Sequence, residues 1–224
     1  MNILDLLLPK SCISCNTTGS YICQKCIEKI QRHKQVCVAC REFSKNGATH
    51  SYCQKLTNIN SLIVATKYNQ VMKKIIHQIK YKFSQDAIIE LCKYILISNK
   101  IKNYIFDQNF DSITCISLHY FRYNWRGFNI SEKIAIWLSN YYSIPFIQYL
   151  TKTRNTAPQA GQKRIDRLFA QKDSYKFNES KDAKLENILL VDDVITTAAT
   201  VEEAASMLRS NGAKKIVVLA LSGH

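Results

Sequence analysis

Apolar residues recur with two different periods along this chain, and the changes of period mark its elements. Leu62, Ile63 and Val64 form a short continuous apolar run of the kind a buried strand shows. From Asn69 to Lys82 the spacing of Val71, Ile75, Ile76 and Ile79 puts them on one face of a helix, and a second helix fits Asp86 to Ser98. Ile113 to Leu118 reads as a strand followed by a loop. Asn129 to Tyr142 reads as a helix with Ile130, Ile134, Leu138 and Tyr141 along one stripe, stopped ahead of Pro145. Asn187 to Val191 and Ile216 to Leu221 are buried strands on either side of an amphipathic helix, Ala199 to Asn211, closed by Gly212. Thr151 to Asp173 is polar and basic with few apolar anchors, and a long mobile loop is expected there. Strands alternating with helices predict an α/β fold, a mostly parallel sheet flanked by helices.

The first quarter breaks this pattern with cysteine. Cys12/Cys15 and Cys23/Cys26 are two Cys-x-x-Cys pairs seven residues apart, so two tight turns direct four thiolates at one ion. Cys37/Cys40 begin a second set, and Leu56 stands where a fourth cysteine is expected. His50, three residues before Cys53, completes a Cys3His tetrahedron instead. The expectation is two structural Zn2+ ions, since four protein ligands leave no open position for a substrate. The chain then divides into a small metal-clamped unit, residues 1–56, and a main domain, residues 57–224. A disulfide framework would need an exported chain, and Met1 to Pro9 lacks the basic lead of a secretory signal. With no apolar stretch near the length of a membrane span, a cytoplasmic location is expected.

Charge adds a partner class. The formal net charge is +14, with 26 Lys/Arg against 11 Asp/Glu over residues 1–180 and 5 against 6 beyond. An excess of this size favours a polyanionic partner. Tyr120, Phe121, Tyr123 and Trp125 interleave with Arg122 and Arg126, the composition of a stacking surface for single-stranded DNA. Core packing and loop anchoring explain the same aromatics equally well.

The candidate chemistry lies where the strand ending at Val191 runs into Asp192-Asp193-Val194-Ile195-Thr196-Thr197-Ala198-Ala199-Thr200 and then a helix. In an open parallel sheet, ligands bind at the carboxyl ends of the strands. A turn of small and hydroxyl residues feeding a helix N-terminus offers backbone N–H groups, a favourable dipole end and threonine hydroxyls to a phosphate. Paired carboxylates are poor phosphate ligands but accept hydrogen bonds from sugar hydroxyls. Acids beside a phosphate cradle point to a ribose phosphate.

The run Val191 to Thr200 resembles the 5-phosphoribosyl-1-diphosphate (PRPP) signature of type I phosphoribosyltransferases. With the cysteine-rich head it resembles the ComF/GntX family, bacterial competence proteins linked to DNA uptake. The resemblance extends from Cys12 to Leu221. It is carried further by Lys80-Tyr-Lys-Phe83, by Ser117 to Asn129 with its Arg-Gly-Phe-Asn run, and by Arg154-Asn-Thr-Ala-Pro-Gln159. It implies a type I phosphoribosyltransferase fold with an N-terminal double zinc ribbon, PRPP as ligand with Mg2+, and DNA-uptake or helicase proteins as partners. It also implies that Asp192 and Asp193 hold the ribose hydroxyls, that Val194 to Thr200 cradles the phosphate, and that Lys80, Arg122 and Arg126 meet the diphosphate. Ala198 replaces the family's usual glycine, which strains the turn if that position needs a positive φ. Three functions stay open: a PRPP-binding protein that handles DNA, a transferase acting on a nitrogen acceptor, and a scaffold that has lost the ligand.

Overall fold

The computed structural model describes residues 10–82, 85–97, 99–154, 174–179 and 185–224. Four strands, β1 (Ser61–Lys67), β2 (Ser112–Cys115), β5 (Asn187–Ile195) and β6 (Lys215–Gly223), form one all-parallel sheet in the order β1-β6-β5-β2. A short antiparallel pair, β3 (Leu150–Lys152) and β4 (Tyr175–Phe177), stands apart from it. Beyond a single helical turn at Gln24–Ile27, the helices are α1 (Gln70–Lys82), α2 (Gln85–Leu96), α3 (Asn99–Asp107), α4 (Tyr120–Arg126), α5 (Ile130–Tyr142) and α6 (Ala199–Ser210).

Alternation along the central strands builds two cores. Leu189 and Val191 of β5, with Val217, Leu219 and Leu221 of β6, join a cluster containing Ile75, Ile76 and Ile79 of α1, Ile88 and Leu91 of α2, and Ile134 and Leu138 of α5. Ile188 and Leu190, with Ile216, Val218 and Ala220, face the other way, toward Val201, Ala205 and Leu208 of α6 and Tyr175 of the hairpin. Each large side chain buried in this way stabilises the fold by roughly 1.5–3 kcal/mol.

Caps set where helices begin. The Asn69 carboxamide oxygen accepts from Met72 N at 3.1 Å ahead of α1, and Asn129 accepts from Ser131 N at 3.1 Å ahead of α5. The Asn129 amide also donates to Ile116 O at 2.8 Å, fastening the start of α5 to the end of β2.

The N-terminal unit closes an edge of the sheet. Outside β1, Arg32 bridges Thr66, His33 N donates to Ala65 O at 3.4 Å, and Lys67 N donates to Gln31 O at 2.9 Å. The Gln35 carboxamide pairs with Val64 like another backbone unit, donating to Val64 O at 2.8 Å and accepting from Val64 N at 3.2 Å. These contacts use strand-edge groups that would otherwise offer a template for aggregation. On the adjoining face, Glu90 of α2 accepts from Tyr21 N and Ile22 N at 3.2 and 3.1 Å. Cys12, Ile22 and Cys26 are buried in the same cluster as α1 and α2.

Several expectations are corrected. The strand expected over Ile113 to Leu118 ends at Cys115, and the loop expected after it contains α4. His119 caps α4, Gly127 ends it with φ 74°, and none of its residues is buried, so no apolar period marks it. Helix α3 escaped notice for a related reason: only Ile101, Tyr104 and Ile105 mark it within a polar run. Tyr141 does not join the α5 core stripe; it is 41% exposed and stacks on Trp137 at 5.4 Å. The loop expected from Thr151 opens as strand β3, while residues 155–173 lie outside the described residues. Strand β5 continues four residues past Val191, because β6 runs beside it to Gly223 and keeps its backbone paired.

The seam between β1 and the metal-clamped unit yields a test. Gly47 has φ 66°, and a Cβ there would lie 2.0 Å from the Leu62 carbonyl oxygen. Gly47→Ala is expected to destabilise the protein by about 3 kcal/mol or more, read as a lowered urea midpoint.

Candidate functional site

Two metal centres are assembled in the N-terminal unit. Cys12, Cys15, Cys23 and Cys26 form one set and Cys37, Cys40, His50 and Cys53 the other, with all ligand atoms of each set within 4.8 Å of one another. The Cys15 and Cys23 sulfurs are 3.4 Å apart, and Cys40 Sγ is 3.3 Å from His50 Nδ1. Tetrahedral zinc with bonds of about 2.3 Å separates neighbouring sulfurs by about 3.8 Å, so both sets fit the ion with little adjustment. The second is Cys3His, as the spacing predicted, and His50 presents Nδ1. Hydrogen bonding to Thr17 lowers the Cys15 thiol to about 6. Burial pushes Cys37 up, but backbone hydrogen bonds from Cys40, His50 and Ala39 outweigh it and bring that thiol to about 6. Each set therefore has an ionised sulfur ready for a cation at neutral pH. With four protein ligands apiece, both are structural zinc sites.

The acid pair lies at the carboxyl edge of the sheet. The parallel register sets Cys115, the last residue of β2, beside Val191, so Asp192 and Asp193 follow where β2 has ended. The two carboxylates are held differently. Asp192, 7% exposed, accepts from Ser131 Oγ at 3.2 Å and from Asp193 N at 2.8 Å. Burial and the neighbouring Asp193 charge push it up to about 7. Asp193 is also pushed up by burial, but its 2.7 Å ion pair with Lys80 and the nearby Arg126 charge bring it below the usual carboxylate range. One acid is a fixed anion and its neighbour titrates near neutrality.

Beyond Ile195 the chain turns through Thr196 and Thr197 to Ala198, the N-cap of α6. Ala198 adopts φ 63° and ψ 0°, the left-handed conformation the glycine replacement put in question. A residue with a Cβ holds it at a cost of roughly 1–2 kcal/mol. No side chain caps this helix end, which leaves the turn's backbone donors to an arriving anion. Val194 and Ile195, read as part of the turn, belong to β5; Val194 packs against the α1 side and Ile195 is buried on the α6 side.

Among the described residues, two buried polar atoms without a partner belong to residues that act on the acids. Ser117 Oγ, Arg126 Nε and Tyr175 OH are three of four unpartnered buried polar atoms. Ser117 follows β2 by two residues, Arg126 stands close enough to lower Asp193, and Tyr175 is raised by burial and then by the Asp192 charge. An orphaned buried donor is costly. Two of them, Arg126 Nε and Tyr175 OH, lie close to the carboxylate pair, where a polar ligand would satisfy them.

The spans matched by known families coincide with these two centres. Residues 3–57 match the double zinc ribbon domain, which takes in all eight metal ligands, and residues 125–224 match the phosphoribosyl transferase domain, which takes in the acids and the turn. Competence protein F of Haemophilus influenzae is 24% identical over 89% of this chain and 83% of its own length. DNA utilization protein YhgH of Escherichia coli is 27% identical over 89% of each chain, and competence protein ComFC of Streptococcus pneumoniae 27% over 94% of this chain and 86% of its own. The chain matches the ComF family.

Seen as a ComF-type site, the structure brings together most of the residues singled out. Lys80 meets Asp193, Arg126 lies by the same carboxylate, and Arg122 lies near Arg126 and Tyr81. Residues 155–159 of the Arg154 to Gln159 segment lie outside the described residues, as does Phe83. Sequence reasoning missed Ser131, Lys152 and Tyr175. Burial and the Arg122 charge lower Lys152 to about 8, with Asp192 opposing, and its ammonium lies 5.5 Å from the Tyr175 ring centre. Nothing local marks these residues; the pairing Lys152↔Tyr175 brings together positions far apart in the sequence.

Metal analysis of the purified chain is expected to return two zinc ions, falling to one in His50→Ala. One ion in both proteins would remove the second centre.

Proposed function

We propose that this ComF-type chain binds PRPP at its carboxyl-edge site and works in DNA uptake or processing, as the names of its relatives suggest. The observation that carries this reading is the joining of an acid pair, with the unpartnered Arg126 Nε and Tyr175 OH close to it, to an uncapped helix N-terminus. The 5-phosphate takes the turn from Thr196 to Thr200. The ribose hydroxyls donate to Asp192 and Asp193. The diphosphate faces Lys80, Arg122, Arg126 and Lys152, with Mg2+ held mainly by the ligand's own oxygens. Lys80 must then exchange part of its contact with Asp193 for the ligand.

If transfer follows, the C1–O bond to pyrophosphate breaks as a nucleophile attacks C1, and the acids offset the positive charge that develops on the ribose. The acids and the turn support binding directly, so binding is the function proposed. Helix α4 favours a nucleic-acid role. Tyr120, Phe121 and Trp125 are 66%, 64% and 60% exposed in a helix with no fully buried residue, beside the half-buried Arg122 and Arg126. Trp125 meets Tyr81 edge-on at 5.5 Å, and Tyr81 contacts His77 at 4.2 Å, so the aromatic surface continues onto α1 next to Lys80. Stacked bases of single-stranded DNA would lie on it with their phosphates toward the arginines. The units 1–56 and 57–224 are then a zinc-clamped buttress and the ligand-binding domain.

Calorimetry with PRPP and Mg2+ is expected to show binding that weakens at least tenfold in Asp192→Asn and Asp193→Asn; a wild type that binds no PRPP overturns the reading. Affinity should rise with pH to about 7, as Asp192 loses its proton and gains acceptor capacity, and fall above about 8, as Lys152 loses its charge. Asp192→Asn should flatten the acid limb and Lys152→Met the alkaline limb. Fluorescence anisotropy with oligo-dT should show single-stranded DNA binding that falls steeply with salt and about tenfold in Trp125→Ala; unchanged binding by that variant would place the DNA elsewhere.

A further inference from the structure

We infer that Glu202 is a positioning residue that ties the phosphate-binding turn to the second zinc centre, so that metal at Cys37, Cys40, His50 and Cys53 and a phosphate at Thr196 to Thr200 favour each other's binding. The inference rests on the ribose-phosphate reading of that turn.

The turn lacks the usual means of holding its shape. Ala198 stands in the left-handed region without being glycine, and no side chain caps the helix that follows. Its first turn is closed by Glu202 N, which donates to Ala198 O at 2.9 Å. The carboxylate of the same residue points away from the turn. One oxygen accepts from Thr57 Oγ1 at 2.5 Å, and the other accepts from Asn58 N at 2.7 Å and Asn58 Nδ2 at 2.9 Å. Thr57 is itself fixed, since its hydroxyl oxygen accepts from Ile59 N at 3.1 Å. Two turns along the same helix, Arg209 Nε donates to Asn58 O at 3.2 Å, and its guanidinium also donates to Asn60 Oδ1. Helix α6 is thus fastened at both ends to the segment 57–60.

That segment leads directly out of the second metal centre. Cys53 lies in the 3-10 turn Ser51–Leu56, and Thr57 is the residue that ends it. Zinc holds Cys53 and His50 in place, and the chain carries that order four residues on to the donors of Glu202.

Charge makes the link matter for a phosphate. A carboxylate in the first turn is favourable to the helix dipole alone, but it repels an anion arriving at the same N-terminus. Three donors directed at Glu202 keep its charge turned toward the ribbon and partly neutralised. Loss of those donors releases the carboxylate toward the phosphate and frees the turn that it braces. Because coupling between binding sites is reciprocal, phosphate must also strengthen metal retention.

The experiment uses the full zinc-loaded chain with ribose 5-phosphate, PRPP and Mg2+-pyrophosphate as calorimetric probes. Thr57→Val and Glu202→Ala are expected to weaken ribose 5-phosphate about tenfold, the factor for one charge-assisted hydrogen bond, and to leave pyrophosphate within about twofold. Glu202→Gln should recover most of the loss, since its amide oxygen still accepts from Asn58 N. His50→Ala should cost a similar factor in the wild-type background and nothing further in Glu202→Ala. Saturating PRPP should slow chelator removal of one zinc in the wild type but not in Glu202→Ala. Wild-type binding that is unchanged in both Thr57→Val and Glu202→Ala, or a His50→Ala cost that is the same in both backgrounds, overturns this inference alone. Failure of the wild type to bind either PRPP or ribose 5-phosphate overturns the ribose-phosphate reading and this inference with it.

Discussion

A parallel sheet has to be shielded from water on both faces and along its open edges, and most of this chain is arranged to meet that requirement. Strands β5 and β6 lie in the middle and read as continuous apolar runs because each side chain, on either face, meets a core. Helices α1, α2 and α5 cover one face, and α6 with the β3–β4 hairpin covers the other. The outer edge of β1 is taken by the zinc-clamped segment through Arg32, His33, Gln35 and Ala48. The ribbon is therefore part of the sheet's packing. Gly47 is needed where that segment passes over Leu62 with no room for a side chain.

The same sheet creates the site by leaving strands of unequal length. β2 stops at Cys115 while β5 runs on to Ile195, so Asp192 and Asp193 are carried past the last β2 partner with their backbone still paired to β6. Carboxylates so deeply placed are tolerated because they are treated differently. Lys80 keeps Asp193 ionised, whereas Asp192 relies on Ser131 and a backbone N–H and sits near neutrality in its titration. That asymmetry gives one site both a permanent anion and a group whose charge follows pH. Around it lie cations from three unrelated parts of the chain, Lys80 of α1, Arg122 and Arg126 of α4, and Lys152 of β3. They are the local expression of a basic excess that composition alone would scatter over the surface.

Local patterns in the sequence carried a large share of this. The cysteine spacing determined both metal centres down to His50, because tetrahedral coordination admits few spacings and each half-site is contiguous. The 3.6-residue period located α1, α2, α5 and α6, and the apolar runs located β1, β5 and β6. The acids, the threonines and the strained Ala198 were legible for the same reason: a strand-to-helix turn that carries carboxylates and hydroxyls is built from consecutive residues.

What only the tertiary structure decided are the relations between residues far apart along the chain. No local pattern could say that Asp192 would titrate near 7 and Asp193 stay ionised, since the difference lies in Lys80 and Ser131, brought in by other elements. No residue of helix α4 is fully buried, so it leaves no apolar period to read. Tyr175, Lys152 and Ser131 acquire meaning only once they approach the acids, and Glu202 once it meets Thr57 and Asn58. Periodicity reports which residues leave water; pairing across the fold sets charge, proton affinity and the coupling of one site to another.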